Sequence, residues 1–226
     1  MTNEFEGIDT QSTEHLTLMD SRVGWAAIDA GDYATAFTFF EPWKNDPIGQ
    51  YFLAEIYLKD PKFQKVRSKG IQLLKHSADA NFTWAFLALG NYSATRSRGK
   101  KDRQHAIYWF KKSAKKGCPI SQYNLGLCYC KIEDFVNGTT WLYLSAATGY
   151  NDALKWFVET SKVAPYEQFI EGLEAAYAWL ESLRGIDQTQ MEPQWSRLLV
   201  KYGVDSNLVF SDVLEFWTRS LSLSST

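Results

Sequence analysis

The chain has 226 residues, of which 45% are hydrophobic and 15% aromatic, enough to bury a core and to exclude a disordered protein. No apolar run approaches the roughly 18–20 residues that span a bilayer, and the acidic start lacks the basic and apolar parts of a secretory signal. With a net charge of only −2, the composition predicts a soluble, cytoplasmic protein that does not bind a membrane.

Residues typical of a helix start occur near the amino terminus. Ser12 or Thr13 can cap a first helix that we predict to run to about Ala30. Predicted helices over residues 33–44 and 48–58 follow and form a first helical hairpin.

One short pattern recurs along the chain: a small residue, followed three and four residues later by two bulky ones. The small residue, which we call the anchor, is Ala36, Gly70, Ala106, Gly138 or Ala176, and successive anchors lie 34, 36, 32 and 38 residues apart. A helix presents this combination on the face that packs closely against its neighbours. Each anchor therefore marks the first helix of a hairpin. The clearest hairpin covers residues 106–129 and turns at Gly117-Cys118-Pro119.

The second helices repeat less faithfully. Gly90 and Gly126 stand in register, and a glycine within a helix costs about 1 kcal/mol relative to alanine. Two in register predict a place where helices approach closely. The fourth copy has Phe157-Val158 instead, so either that helix is displaced or the array degenerates toward its end.

These features resemble the Sel-one-like repeat family, a branch of the tetratricopeptide superfamily. The resemblance rests on Gly31-Asp32-Tyr33-Ala34-Thr35-Ala36 and on the series Ala106, Trp109, Ser113-Ala114, Gly117, Tyr123-Asn124-Leu125-Gly126 and Tyr129. It covers residues 31–149 well and residues 153–185 weakly. It implies an all-α, right-handed solenoid of antiparallel helix pairs, with the first helices on the concave side. The usual function of the family is that of a protein–protein adaptor.

The C-terminal part predicts further helices. Pro165 suits the first turn of a helix that continues to about Arg184, and two more amphipathic helices are predicted over residues 194–202 and 208–223. An array must cover its last apolar face, so we interpret these two as an end cap, although they could equally form a separate binding surface. The chain is thus predicted to be a single domain, with a tail and capping helix at 1–30, repeats at 31–185 and a helical cap at 186–226.

Charge is distributed in blocks. Residues 1–58 hold 2 basic and 10 acidic side chains. Residues 59–117 hold 15 basic and 3 acidic side chains, and residues 118–226 hold 7 basic and 13 acidic ones. Two connecting segments carry most of the central cations: Lys59, Lys62, Lys65, Arg67 and Lys69, then Arg96, Arg98, Lys100, Lys101 and Arg103. Equivalent segments of a stacked array lie about 10 Å apart, so we predict one basic rim.

The first helices carry the other candidate binding residues, two and five positions after each anchor. In the central copies these are Gln72, Lys75, Tyr108, Lys111, Thr140 and Tyr143, with Lys112 beside them. We expect the lysines to contribute charge and the tyrosines, exposed beside the core, to contribute contact area.

The pattern predicts a noncatalytic scaffold that binds an anionic partner. An acidic protein segment, a nucleic acid backbone and the acidic ends of a second copy all fit, and charged loops could also merely keep a solenoid soluble. We favour protein over nucleic acid because base-stacking aromatics are sparse in both basic loops.

Catalysis and cofactors are not expected. The three histidines have no partner at metal-binding spacing. His105 and Cys118 stand about 20 Å apart along one helix, too far to act as base and nucleophile. We expect the cysteines to be small helix fillers, and we predict no metal and no cofactor.

Overall fold

The computed structural model of the protein describes residues 15–96 and 100–183. Over these residues the chain forms ten α-helices and two 3₁₀ turns and no strand, as predicted for an all-α protein. The contacts divide the chain between Ser77 and Ala78 into two compact units. The predicted helices over 194–202 and 208–223 lie outside the described residues. The single-domain organisation stays a prediction.

From residue 15 onward, the first unit contains three complete helices and most of a fourth. They are α1 (Arg22–Asp29), α2 (Tyr33–Phe40), α3 (Pro47–Lys59) and α4 (Arg67–Asp79), with 3₁₀ turns at Glu41–Trp43 and Pro61–Val66. Asp46 begins α3 by accepting a 2.8 Å hydrogen bond from the Ile48 backbone N–H, and Pro47 occupies the first helical position, where a missing N–H costs nothing. The Phe40 and Phe52 rings stack in the core with centroids 4.6 Å apart.

The predicted first helix, from Ser12 or Thr13 to Ala30, is wrong in its start: the structure begins α1 at Arg22. Ahead of it, the Thr17 hydroxyl accepts a 3.1 Å hydrogen bond from the Asp20 backbone N–H. Such local side-chain bonds offer the backbone an alternative to the helix. The predicted capping residues themselves lie outside the described range.

The second predicted helix is also shorter than expected. It ends at Phe40 and not at Lys44, and a 3₁₀ turn over Glu41–Trp43 follows. Pro42 lies in this turn and has no backbone N–H, so it cannot continue the helical hydrogen bonds.

The described residues of the second unit form six helices. They are α5 (Thr83–Thr95), α6 (Lys100–Ala114), α7 (Pro119–Cys130), α8 (Phe135–Ala147), α9 (Asn151–Val163) and α10 (Tyr166–Leu183). Gly117 turns the chain between α6 and α7 at a φ of 86°, which a side chain would disfavour. The hairpin predicted at Gly117-Cys118-Pro119 is therefore confirmed.

Glycines in the second helices leave room for the first helix of the next hairpin to pack closely. A β-carbon added at Gly90 would lie 2.4 Å from the Phe110 ring, and one at Gly126 would lie 2.7 Å from Leu142. Phe110 and Leu142 both stand four residues after an anchor and are 1% and 0% exposed. The close approach predicted at these two glycines is confirmed.

The last helix departs from the repeat. Each earlier first helix in this unit packs on the second helix of the preceding hairpin, as α6 does on α5 and α8 on α7, whereas α10 packs mainly on α8. Because α9 carries Val158 where α5 and α7 carry glycine, it cannot admit a helix as closely. The array degenerates at its end, which is the second of the two expected alternatives, and the anchor Ala176 does not mark a regular copy.

Candidate functional site

One side of α6 is basic and exposed. Lys111 and Lys112 lie on its last turn, one turn after Tyr108, which is 51% exposed. Lys115 follows the helix but continues its geometry, because its backbone N–H bonds to the Lys111 carbonyl oxygen at 3.1 Å. Helical spacing puts these four side chains on one side, opposite the buried Phe110. We call Tyr108, Lys111, Lys112 and Lys115 the α6 basic face.

The Lys112 ammonium group lies over three aromatic rings. Its Nζ is 5.4 Å from the Phe86 ring centroid, 5.0 Å from that of Tyr108 and 5.5 Å from that of Trp109. The rings also contact one another, since the Trp109 centroid lies 6.1 Å from Phe86 and 4.8 Å from Tyr108. A cation over an aromatic face is attracted by the ring quadrupole. The ammonium group is therefore held at the surface, beside an exposed tyrosine.

Apart from Lys59, which pairs with Glu55 at 3.0 Å, the central cations lack acidic partners within the described part of the chain. The ion pairs found there use His15, Lys44, Lys59 and Lys162. Within the central block, the described basic side chains that have no described carboxylate within 4.0 Å are Lys62, Lys65, Arg67, Lys69, Lys75, Arg96, Arg103, Lys111, Lys112, Lys115 and Lys116. Exposed charges act over about one Debye length, ~8 Å at physiological salt, so these cations can attract an anion.

In the basic segment of the first unit, residues 59–69, Arg67 and Lys69 contact α3, whereas Lys62 and Lys65 are exposed. Arg67 donates from Nη2 to a backbone carbonyl at the end of α3 at 2.8 Å, and the Nζ of Lys69 lies 5.0 Å from the Tyr57 ring centroid. Lys62 and Lys65 are exposed on the preceding 3₁₀ turn.

The remaining predicted sites fall into two groups. Exposed side chains are those of Gln72 and Lys75 on α4, Arg96 after α5 and Arg103 on α6. Arg98 and the side chains of Lys100 and Lys101 lie outside the described residues. The prediction that both basic segments form one rim stays a prediction.

Two predicted contact residues are not on the surface. Tyr143 is only 3% exposed, so the prediction of an exposed tyrosine there is wrong. Thr140 is half-buried, and its hydroxyl lies 2.8 Å from the Val136 carbonyl oxygen and 3.0 Å from the Gly172 carbonyl oxygen, either of which can accept its single proton. Both lie where α10 packs over this side of α8. Tyr143 also contacts the Phe157 ring of α9, with centroids 5.6 Å apart.

No catalytic chemistry emerges from the thiols. Burial raises the pKa of the thiol of Cys118, which is fully buried, and also the pKa values of Cys128 and Cys130, which are partly buried. A raised pKa disfavours the reactive thiolate. Among the described residues, no three potential ligands lie close enough together to hold a metal ion. Nor does any helix in that part of the chain have both the length and the apolar character to cross a membrane.

The sequence patterns missed parts of the α6 basic face. Lys115 could have been found, because it follows Lys111 by four residues and so shares its side of a helix. The contact of Lys112 with Phe86 could not have been found from local patterns, because Phe86 lies on a different helix, α5.

Comparisons with known proteins bear on the fold alone. No protein-family model matches the sequence, and the search of curated proteins finds no significant match. The crystal structure of a Sel1 repeat protein from Oxalobacter formigenes superposes with a TM-score of 0.54 at 21% sequence identity, covering 80% of this chain and 86% of that one. The crystal structure of c5321, a protective antigen present in uropathogenic Escherichia coli strains displaying an SLR fold, gives a TM-score of 0.54 at 21% identity over 91% of this chain. The chain spans 48% of c5321. The protein therefore has the Sel1-like repeat fold, an all-α helical-repeat solenoid.

Proposed function

We propose that the protein is a noncatalytic scaffold that binds an acidic protein partner through the α6 basic face. The observation that supports this is a set of exposed lysines beside an exposed tyrosine, without acidic partners among the described residues. Similarity to Sel1 repeat structures adds support, because stacked helical repeats display extended binding surfaces.

Electrostatics and contact area would act together at this face. The lysines would attract a negatively charged surface and accelerate its encounter. Tyr108 would then supply a rigid contact at low entropic cost, as tyrosine does at many interfaces. The Lys112 side chain is already held over the rings of Phe86, Tyr108 and Trp109, so it loses less conformational freedom on binding.

Charge reversal tests the proposal. The triple variant Lys111→Glu, Lys112→Glu and Lys115→Glu changes the α6 basic face, whereas Lys131→Glu, Lys155→Glu and Lys162→Glu makes the same net change on exposed sites elsewhere in the second unit. In a pull-down from native extract, we expect an acidic protein to be retained by the wild type and the control triple and lost by the α6 triple. Equal retention by both triples would place the binding site elsewhere.

A titration distinguishes protein from nucleic acid. Mixed-sequence RNA and DNA are added at two salt concentrations, because binding to a phosphate backbone weakens steeply with salt. The proposal predicts no nucleic-acid binding even at low salt. Binding that is lost in the α6 triple variant would favour the nucleic-acid alternative.

A further inference from the structure

The outer side of α10 is acidic. Glu167, Glu171 and Glu174 are all exposed, and their spacing of four and three residues puts them on one side of the helix. That side is opposite Phe169 and Ala176, which are buried. We call Glu167, Glu171 and Glu174 the α10 acidic face.

The α10 acidic face has no basic partner within the described part of the chain. The carboxylates that form ion pairs there are those of Glu41, Asp46, Glu55 and Glu159. Nor does the fold bring α10 against the lysines of α6, because α6 packs mainly on α5 and α7 whereas α10 packs mainly on α8. Both charged faces of the second unit are therefore left without an ion pair among the described residues.

The α6 basic face and the α10 acidic face match in size and in spacing. Each covers about two helical turns, roughly 11 Å of helix. Both contain like charges four residues apart, Lys111 and Lys115 on the one and Glu167 and Glu171 on the other. Two helices that met through these faces would place a row of positive charges against a row of negative ones.

The net charge of the chain does not oppose contact between two copies. At a net charge of −2, general repulsion between copies is weak, and a net charge near zero favours association. Oppositely charged surface patches then determine how two copies approach each other.

We propose that the acidic partner of the α6 basic face is the α10 acidic face of a second copy of this chain. This inference rests on the function proposed above, because it names the partner of the same site. The two faces lie on different helices, so the contact is head-to-tail, and a copy that binds one neighbour keeps a face open for another. Assembly therefore continues beyond a dimer until a ring closes or a filament forms.

Sedimentation velocity of the purified full chain tests the assembly. At about 0.01 M salt, where the Debye length is roughly 30 Å, we expect the average sedimentation coefficient to rise with protein concentration and species larger than a dimer to appear. At about 1 M salt, where the Debye length is roughly 3 Å, we expect the monomer. A chain that stays monomeric at the lower salt concentration would overturn the proposal.

Charge exchange between the two faces tests which surfaces meet. Two triple variants reverse one face each: Lys111→Glu, Lys112→Glu and Lys115→Glu, or Glu167→Lys, Glu171→Lys and Glu174→Lys. All six side chains are exposed, so the variants should keep the fold, which circular dichroism checks. Each triple alone should weaken self-association roughly tenfold or more, because both faces then carry charge of the same sign. The chain with all six changes should associate again.

A matched control separates the position of the charges from their sum. It combines the reversal of the α10 acidic face with Lys131→Glu, Lys155→Glu and Lys162→Glu, which are exposed sites elsewhere in the second unit. Its net charge equals that of the chain with both faces exchanged, but its α6 and α10 faces are both positive, so it should stay monomeric.

Equal association by these two variants would overturn the proposal. If the α6 triple variant still failed to retain an acidic protein from native extract, the function proposed above would stand and its partner would be a different protein. Equal retention by that triple and its own control would contradict the proposed function itself.

Discussion

Single glycines control how closely the hairpins pack. At Gly90 the space for a β-carbon is already occupied by the Phe110 ring, 2.4 Å away. Alanine favours a helix by about 1 kcal/mol over glycine, but overpacking a core costs ~1–3 kcal/mol. We therefore expect Gly90→Ala to lower the free energy of unfolding, measured by urea denaturation, although helix propensity alone predicts a gain.

A double variant separates packing from propensity. In a Phe110→Leu background the ring is gone, so Gly90→Ala should cost less than it does in the wild type, or even stabilise. Contacting residues show such non-additivity, on the order of 0.5–3 kcal/mol. Equal costs in both backgrounds would mean that the Phe110 ring is not what excludes the methyl group.

Burial of Cys118 predicts a dependence of stability on alkaline pH. Burial raises the pKa of this thiol above its ordinary value of 9.0, so the folded state holds its proton when the unfolded state begins to lose it. The contribution is fully present below the unfolded-state pKa of about 9 and is lost as pH rises from there through the higher folded-state pKa. Urea unfolding at pH 7 and pH 10 should show a smaller drop for Cys118→Ala than for wild type. Equal drops would contradict burial of the thiol.

At the scale of elements, serines seven residues after the anchors join one hairpin to the next. The Ser77 hydroxyl donates to the Pro47 carbonyl oxygen at 2.6 Å, and the Ser145 hydroxyl donates to that of Pro119 at 2.7 Å. Both carbonyls belong to the first residue of the preceding second helix. The equivalent Ser113 makes no such bond and lies beside the Cys118 thiol.

This difference makes an internal control available. Ser145→Ala removes the inter-hairpin hydrogen bond, and we expect the free energy of unfolding to fall by ~0.5–1.5 kcal/mol. Ser113→Ala removes a buried hydroxyl that has no hydrogen bond to an oxygen or nitrogen atom in the described structure, so it should cost clearly less. Thermal or urea unfolding of the two variants gives the comparison, and equal losses would show that the inter-hairpin bond contributes little.

Local patterns predicted the hairpins well and the last helix poorly. Gly117, Pro119 and the anchors encode turns and close contacts through chain-local geometry, which a sequence displays directly. Ala176 has the same local pattern as the other anchors, yet α10 packs on α8. Burial of Tyr143 follows in part from that non-local choice, and the only warning in the sequence was Val158 in place of a glycine.

At the scale of the whole molecule, charge is the property of the sequence on which the proposed function depends. The central block of basic residues includes the α6 basic face, whose lysines have no acidic partner within the described residues. The charge count could not predict that Lys112 lies over the rings of Phe86 and Trp109, because these two residues come from different helices. Binding at this face should weaken with salt, since exposed charges are screened beyond ~8 Å at physiological ionic strength.

Site-specific photocrosslinking tests binding at the α6 basic face most directly. A benzophenone amino acid replaces Tyr108 in one variant and Tyr166, which is 78% exposed on α10, in another. We predict that the Tyr108 variant forms an adduct with an acidic segment of a protein partner, and that the adduct disappears at high salt and in the Lys111, Lys112 and Lys115 charge-reversal background. An adduct formed only at Tyr166, or one that persists at Tyr108 after charge reversal, would contradict the account.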